Sequence, residues 1–489
     1  MRGAVLAALA CTLACGPKRS RHLVDADAPV PWSEARLDWS RAPAVPPASG
    51  FVPPAIEQYT LTGGMRIVLV PNHRLPLVAI AAVHGAAGSR EDGATPGLAA
   101  LTADMLDEGA GMHVGVTFRE ALELAGARLD IDIATDHASM QLVTTKAQLG
   151  RSMELLADAI TRPHINMPEN NRVRRERVRD LEERQQWPRT VAAQIFDRVV
   201  FGAHPYAWPA DGAARVVGAR EMTELRAFWE RAYRPDALTL IVAGDVTREE
   251  VDRLVAARFG AWAAAKHAAQ PNAEAPAPPL PAFSPQLAYV DVPGAEQASV
   301  VLGRRAAAAG DTQQLAADVA NSIVGGGIGS RLDRVLHDQL GLALGASASH
   351  WRGEWAGTWA AATTIRAERT LEGIRAALAV IDEARTTEPT PAELARAKQN
   401  LTRAAEQTFD TVAGTTRALA RVVAQRMPLA WVTAYAQRLA AITPADVRAA
   451  STWSDLAIVV VGDWTKLGAA LGELGLPVVR YDRDGTQRP

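Results

Sequence analysis

The most informative stretch of this chain is Gly97-Leu98-Ala99-Ala100-Leu101-Thr102-Ala103-Asp104-Met105-Leu106-Asp107-Glu108-Gly109. Residues four apart lie on one face of a helix, so Ala100 and Asp104 project to the same side. Histidines at this spacing hold a zinc ion in many enzymes, and a glutamate between them activates the metal-bound water. The methyl groups of Ala100 and Ala103 can do neither, and Asp104 supplies one carboxylate. The helix has the layout of a zinc site without its chemistry.

The stretch resembles the zinc-site helix of the pitrilysin/insulinase peptidases, which reads Gly-Leu-Ala-His-x-x-Glu-His-Met-Leu. Ala100 and Asp104 stand at the two histidine positions, and Ala103 stands at the glutamate position. The family's third ligand, a glutamate roughly 80 residues further on, corresponds to residues 180–183. The resemblance implies an α+β fold of two homologous domains, each with a mixed, mostly antiparallel β-sheet and helices packed on one face. It predicts no catalytic residue and no metal ligand.

Composition narrows the class of protein. The 489 residues are 48% hydrophobic and 22% charged, with a formal net charge of −2 at pH 7. These values are typical of globular proteins and give no electrostatic basis for binding nucleic acid. None of the ten histidines stands four residues from another or in a His-x-x-Glu order. The two cysteines, Cys11 and Cys15, precede the body, so we expect neither a disulfide nor thiol chemistry within it.

The first residues have the pattern of an export signal, because Arg2 precedes an apolar run too short to span a bilayer. Thr12-Leu13-Ala14-Cys15-Gly16 resembles a bacterial lipoprotein cleavage site, which predicts a signal over residues 1–15 and lipidation of Cys15. An ordinary cleaved signal and an uncleaved anchor are the alternatives. The polar, proline-bearing segment 16–50 predicts a flexible tether. We therefore expect the body on the periplasmic side of the cell envelope, attached to a bacterial membrane through its lipid alone.

Two similar segments indicate a duplicated domain. Residues 238–247 read Leu-Thr-Leu-Ile-Val-Ala-Gly-Asp-Val-Thr, and residues 456–465 read Leu-Ala-Ile-Val-Val-Val-Gly-Asp-Trp-Thr. Each predicts a buried strand closed by Gly-Asp, and then a threonine that caps the next helix. The alanine- and proline-rich segment 263–285 predicts a linker. We accordingly expect an N-terminal domain with a degenerate zinc motif over 51–262, a C-terminal domain over 286–480 and a tail over 481–489.

Local patterns predict several elements of the first half. Strands are expected at 65–70 and 78–84, and a hairpin is expected over 128–145 around Asp136-His137. A long helix is expected from Pro168, and its arginines alternate with acids, which favours a solvated face over a nucleic-acid surface. The tripeptide His204-Pro205-Tyr206 also occurs in the family, and on its own it predicts a tight turn beside the core.

A glycine-rich segment marks a second candidate site. Residues 324–332 read Val-Gly-Gly-Gly-Ile-Gly-Ser-Arg-Leu and resemble the family's second-domain signature, which contacts substrate. No Gly-Lys-Ser/Thr follows, which argues against a phosphate loop, while the glycines permit close approach of a peptide or partner chain. The family's arginine and tyrosine, seven residues apart, correspond to His337 and Leu344. The residues predicted to contact substrate or partner are Gly325, Gly326, Gly327, Gly329, Ser330, Arg331 and His337.

Three tryptophans, Trp351, Trp355 and Trp359, fall four apart around Gly353 and Gly357. The glycines would be costly in a helix, so we expect a strand pair on which the tryptophans share a face. Packing in the core or in an interface is the first interpretation, and an aromatic shelf that binds peptide is the alternative.

Three functions are compatible with these features. In family members of this size two chains often pair, and one subunit carries zinc while the other does not. The resemblance therefore implies first a non-catalytic subunit that pairs with a zinc-bearing homologue and holds extended peptide, with no cofactor of its own. The altered His337 and Leu344 positions favour the second, a stand-alone envelope binding or scaffold protein. The third, an active zinc metalloendopeptidase, is opposed by Ala100, Ala103 and Asp104.

Overall fold

The computed structural model describes residues 50–61, 63–93, 95–265 and 277–488. The predicted signal at 1–15, the lipidation site Cys15, nearly all of the predicted tether and the central part of the predicted linker lie outside the described residues. Across the described ranges, every helix falls short of the length and apolar character that crossing a membrane requires.

The predicted strands of the first half are confirmed to within one residue at each end. The strands are β1 (Glu57–Thr60), β2 (Arg66–Pro71), β3 (Leu77–His84), β4 (Gly109–Ala110), β5 (His113–Val114), β6 (Arg128–Ile133), β7 (Ala138–Thr145) and β8 (Leu238–Gly244). In the described part of this half, six of them form one sheet in the order β1-β2-β8-β3-β7-β6, and β4 pairs with β5. The β2–β8 pair is parallel and the other pairs are antiparallel. We call the six-stranded sheet sheet 1.

The helices of the first half include the long helix expected from Pro168. They are α1 (Leu98–Asp104), α2 (Val116–Leu124), α3 (Leu149–Thr161), α4 (Met167–Arg184), α5 (Pro188–Phe201), α6 (Ala214–Val217), α7 (Met222–Ala232) and α8 (Arg248–Ala264). Helix α4 begins where the Asn166 side chain accepts the N–H of Glu169, and Pro168 fits the first turn, where its missing N–H is no loss.

The second half repeats the plan. Its strands are β9 (Leu287–Asp291), β10 (Gln297–Ala306), β11 (Ala343–Arg352), β12 (Gly357–Arg366), β13 (Ala457–Gly462), β14 (Val478–Tyr481) and β15 (Gln487–Arg488). Within the described residues they form a seven-stranded sheet, sheet 2, in the order β11-β12-β10-β13-β9-β14-β15. The β9 strand pairs in parallel with β13 and β14, and the remaining pairs are antiparallel. The predicted α+β class with two sheet-containing halves is confirmed.

The helices of the second half lie mainly between β10 and β13. They are α9 (Gln314–Gly325), α10 (Arg331–Asp333), α11 (Thr370–Thr386), α12 (Pro391–Phe409), α13 (Val412–Ala424), α14 (Ala430–Thr433), α15 (Tyr435–Ala441), α16 (Pro444–Ala450) and α17 (Trp464–Leu471). A π-helical turn, Arg334–Gln339, continues α10.

The duplicated segments form equivalent strands, β8 and β13, but their helix caps differ. Thr247 caps α8 as predicted, because its hydroxyl accepts the N–H of Glu250 and the Glu250 carboxylate accepts the N–H of Thr247. The expected cap at Thr465 is wrong. Asp463 caps α17 instead by accepting the N–H of Thr465, so this helix begins two residues earlier than the threonine predicted.

Each sheet buries one face against helices of its own half. On sheet 1, Ile67, Leu69 and Leu240 pack with side chains such as Phe228 and Phe259. On sheet 2, Val300, Leu302 and Ile458 pack with side chains of α9 and α11. This arrangement follows from the alternation of side chains along each strand.

The opposite face of each sheet is covered by a helix from the other half. Helix α13 packs Leu419 and Ala420 against Val83 and Ile241 of sheet 1. Helix α5 correspondingly packs its apolar face against sheet 2, with Ile195 beside Val459. No local pattern in the sequence predicts this exchange of helices. It means that neither half completes its core alone.

A buried ionic cluster also joins the halves. Arg90 Nη1 lies 3.0 Å from Asp136 Oδ1 and 2.6 Å from Glu354 Oε2. The Tyr206 hydroxyl donates to Asp136 Oδ1 at 2.6 Å and accepts the N–H of Trp355 at 3.1 Å. The predicted turn at His204-Pro205-Tyr206 is confirmed, and it places Tyr206 in this cluster.

The tryptophan prediction is half right. Trp351 and Trp359 do lie on a strand pair, β11 and β12, but they do not share a face. Trp359 pairs with His350, the neighbour of Trp351, so the two tryptophans point to opposite sides. Trp359 stacks on Trp453 in the core, while Trp351 lies edge-on to Tyr206 at the junction of the halves.

The segment predicted as a tail, 481–489, contributes to sheet 2. Its residues Gln487–Arg488 form β15, which pairs with β14. Arg488 bonds to Asp482 across the turn and helps to close this hairpin.

Candidate functional site

The degenerate zinc helix, α1, begins at a carboxylate that precedes it in the chain. Asp92 accepts the N–H groups of Gly97 and Ala99, each at 2.7 Å, and these donors would otherwise lack partners at the helix start. Burial raises the pKa of Asp92 to about 7, and the backbone donors oppose that shift. Gly97 has a φ of +100°, and a Cβ there would lie 2.5 Å from Val217. The glycine that opens the Gly-Leu-Ala run is therefore required by the backbone conformation and by the close approach of Val217.

The positions equivalent to the first histidine and the glutamate are closed. Ala100 and Ala103 are each 1% exposed. An imidazole or a carboxylate at either position would need space that the surrounding side chains already fill. These two positions therefore lack both the donor atoms of a zinc site and the room for them.

The position equivalent to the second histidine is bound to an arginine. Arg177, on α4, donates from Nε to Asp104 Oδ2 and from Nη2 to Asp104 Oδ1, both at 2.5 Å. The side chains are 18% and 29% exposed, respectively. Burial raises the pKa of Asp104, and the bidentate contact with Arg177 opposes this shift. A fixed guanidinium thus lies beside α1, bound to the side chain at the position of the second histidine.

Further ion pairs connect α1 and its neighbours to α4. Arg177 Nη1 lies 3.3 Å from Asp211, and Arg172 bonds to Glu108. The prediction of a solvated helix face is correct for Arg179, which is 72% exposed, and wrong for Arg177, which turns inward. The difference arises because Arg177 finds a partner 73 residues away, and the local charge pattern carries no information about that partner.

A cavity of about 290 Å³ lies between the end of α1 and helix α4. Of the segment expected to supply the third ligand, Asp180 lines the cavity, whereas Glu182 and Glu183 are exposed elsewhere on the helix. Asp107 also lines it, and burial together with Glu108 raises the pKa of Asp107 to about 6. Among the described residues no group of three His, Cys, Asp or Glu side chains is placed to hold a metal ion. The residues that line this cavity do not supply the donor set of a zinc site.

The glycine-rich segment has mainly structural contacts. Gly325 packs on β11, where a Cβ would lie 2.4 Å from the Ala348 nitrogen, and a Cβ on Gly326 would meet the preceding helical turn. Gly327 and Gly329 have φ values of +103° and +74°, which glycine adopts without strain. Ile328 at the tip of the loop is fully exposed.

The polar residues after the glycines are engaged within the chain. Ser330 caps α10, and buried Arg331 makes a bidentate ion pair with Glu393 at 2.8 and 2.9 Å. The hydrogen bond from Arg331 lowers the pKa of Glu393 to about 2. His337 is half-exposed, and its Nδ1 donates to the carbonyl of Ala343 at 2.9 Å. The structure therefore presents His337 and the loop tip to solvent and withdraws Arg331.

Known proteins share this fold. A family model described as the Peptidase M16 inactive domain matches residues 221–401. An uncharacterized zinc protease of Mycobacterium bovis is 28% identical over 306 residues, which cover 62% of this chain and 68% of that protein. A non-peptidase homolog, YmxG, of Helicobacter pylori is 23% identical over 282 residues, covering 57% of this chain and 63% of that protein.

Similarity in three dimensions extends further along the chain. The crystal structure of a peptidase M16 inactive domain from Pseudomonas fluorescens has a TM-score of 0.75 and 22% identity, covering 84% of this chain and 98% of that one. Its similarity spans both sheets, whereas the matched family model covers the centre of the sequence. Together with the degenerate zinc helix, these similarities support the resemblance of the chain to the pitrilysin-like peptidases of the M16 family.

Proposed function

We propose that this chain is a non-catalytic subunit that pairs with a zinc-bearing homologue in peptide processing or degradation at the cell envelope. The bidentate pair between Asp104 and Arg177 carries the proposal, because it fills the position of one zinc ligand with a carboxylate that is already bound. Buried Ala100 and Ala103 remove the other ligand and the base. The chain has no zinc of its own under this proposal.

The Arg177 guanidinium can hold α1 against α4 as a metal ion would, but it cannot activate water. It is a permanent cation that ties α1 to α4, as a bound ion would. It has no open coordination position, so it cannot lower the pKa of a water molecule to near neutrality as zinc does. The scaffold at this position is thereby kept while the hydrolytic step is lost.

Peptide holding is supported by the free edge of sheet 1. Among the described strands β6 pairs with β7 alone, and it lies beside α1. An extended peptide adds to such an edge through its main chain. The partner homologue would supply the zinc-bound water, and this chain would complete the enclosure around the peptide.

An envelope location is supported by the leader pattern of the sequence. The apolar run after Arg2 and the Cys15 motif are features of an exported lipoprotein. The proposed assembly is anchored by this lipid on the periplasmic side.

The second candidate function is a stand-alone binding or scaffold protein. The ion pair of Arg331 with Glu393 and the bond of His337 to its own backbone favour it, because both groups are occupied within the chain. Under this alternative no zinc-bearing partner is needed.

Mixing the purified chain with its zinc-bearing homologue separates the two candidates. We expect co-elution in size-exclusion chromatography and a change in the turnover of a quenched peptide by the homologue. Exchanging Ile328 for lysine tests the glycine-rich loop as the contact. Leu75→Lys, which changes an exposed apolar residue in the turn between β2 and β3, is the control. Failure of the wild-type chains to co-elute removes the pairing proposal and leaves the scaffold.

The metal content of the chain alone tests the absence of catalysis. We expect less than about one tenth of a zinc ion per chain after exposure to zinc and dialysis, and no cleavage of the quenched peptide. Stoichiometric zinc with chelator-sensitive turnover would establish the active metalloendopeptidase instead.

A further inference from the structure

Sheet 1 carries an arginine on the face that α13 covers. Side chains alternate along β2, so Arg66 projects to the same side as Val68 and Val70. Both valines are buried against α13, together with Val83 of β3. Arg66 itself is exposed, so this apolar, covered face ends in a solvent-accessible cation.

A cavity of about 990 Å³ opens above Arg66 where α13 ends. The helix stops at Ala424, and Arg426 follows with a φ of +51°, a backbone conformation that non-glycine residues rarely adopt. The floor of the cavity is sheet 1, including Val68, and the wall of the cavity includes Met427 and Leu429. Arg66 and Arg426 both line it, so an amphipathic space contains two guanidinium groups.

The carboxylates that line this cavity are already paired. Glu354 is held by Arg90 at 2.6 Å and by Arg426 at 3.1 Å, and Asp236 lies 3.3 Å from Arg234. No acidic side chain among the described residues lies within ion-pair distance of Arg66. Burial, together with the positive charge of Arg426, lowers the pKa of Arg66. Of the two guanidinium groups that line the cavity, Arg426 is therefore paired with Glu354, and Arg66 is the one without an acidic partner among the described residues.

The edge of sheet 1 also faces this cavity. Strand β1 is the edge strand, and Gln58 and Thr60 line the cavity. The N–H of Leu61 bonds to Met65 at 2.9 Å, and hydrogen-bonded pairs alternate with open pairs along an antiparallel ladder. The main-chain groups of Gln58 and Thr60 consequently point away from β2. They are available to an extended chain that runs along β1.

We infer that this cavity binds the carboxylate that ends an apolar chain, with Arg66 as its principal cationic contact and Arg426 beside it. The free edge of β1 favours the C-terminus of an extended peptide as the source of that carboxylate. A free fatty acid has the same chemistry without main-chain donors. The inference does not rest on pairing with a homologue or on the loss of catalysis.

Calorimetry with four probes tests the site. The probes are an apolar pentapeptide with a free C-terminal carboxylate, the same peptide amidated, dodecanoate and dodecanol. We expect the free-acid peptide to bind at least about tenfold more tightly than the amide, a difference of about 1.4 kcal/mol. Arg66→Gln should weaken binding of the free acid by about tenfold. Arg179→Gln is the matched control, because Arg179 is 72% exposed on α4, away from both edges of sheet 1.

Each result decides the matter. Tight binding of the free-acid peptide that depends on Arg66 supports the peptide source, and Arg66-dependent binding of dodecanoate alone supports the carboxylate site with a fatty acid as its ligand. Equal binding of acid and amide, an equal effect of the two substitutions, or no binding of any probe overturns the inference. Arg66 is exposed, and equal urea midpoints for the two variants will verify that both are folded.

Discussion

Replacing Arg177 with methionine tests whether its guanidinium holds α1 against α4. The change removes two charge-assisted hydrogen bonds of 2.5 Å and leaves Asp104 largely covered without a counter-charge. A hydrogen bond to a charged group contributes about 1.5–3 kcal/mol, and the partial exposure of this pair reduces the sum of the two. We expect the free energy of unfolding to fall by about 2–3 kcal/mol. The matched control is Arg179→Met on the exposed face of the same helix, with an expected change below about 0.5 kcal/mol.

The assay is urea denaturation followed by circular dichroism, in a double-mutant cycle with Asp104→Asn. Because the two side chains contact directly, their coupling energy should be about 1–2 kcal/mol. In the Arg177→Met protein burial raises the pKa of Asp104 without opposition. A raised folded-state pKa of an acid gives stability that is lost as pH rises, so the destabilisation should be greater at about pH 8 than at about pH 5.

Three results would refute this reasoning. Additive effects of the two substitutions would show that the pair is not coupled. A loss for Arg177→Met no larger than that for Arg179→Met would show that the contact does not hold the helices. A rise in the wild-type midpoint on adding zinc would show that the site binds metal, since a ligand that binds the folded state stabilises it.

Other contacts give further predictions. Leu419→Ala should lower the free energy of unfolding by about 3 kcal/mol and speed amide hydrogen exchange in β3 and β8, because this side chain from the second half fills the core of sheet 1. Faster hydrogen exchange that is confined to the second half would contradict the packing of α13 on sheet 1. Glu393→Gln should lower the free energy of unfolding by about 2 kcal/mol at neutral pH, because Arg331 loses its ion pair. Since the folded-state pKa of Glu393 is lowered to about 2, wild-type stability should fall as pH drops from about 4.5 to 2, and a urea series should give a flatter curve for the variant. Tyr206→Phe should cost about 1–2 kcal/mol in urea denaturation because Asp136 loses a buried donor; an unchanged midpoint would remove this cluster as a tie between the halves.

Local patterns were sufficient for the elements that surround the site. The hairpin over 128–145 was predictable because alternation and a polar turn are read within a few residues. The same is true of β8 and of Thr247 as the cap of α8. The cap of α17 was missed because Asp463 and Thr465 are both good caps, and the choice depends on where the chain leaves the strand. The tryptophan faces were missed because the register of β11 and β12 is set by the turn between them.

The sequence by itself determined that the zinc-binding side chains are missing at Ala100, Ala103 and Asp104, since the identity of a residue fixes which donor atoms it has. Only the tertiary structure decided what replaces them. Arg177 reaches Asp104 across 73 residues, and α13 covers the sheet of the other half, because such contacts depend on how distant segments pack. A local sequence pattern does not reveal how far apart distant segments lie in the fold. The charge and burial at this site depend on those distances.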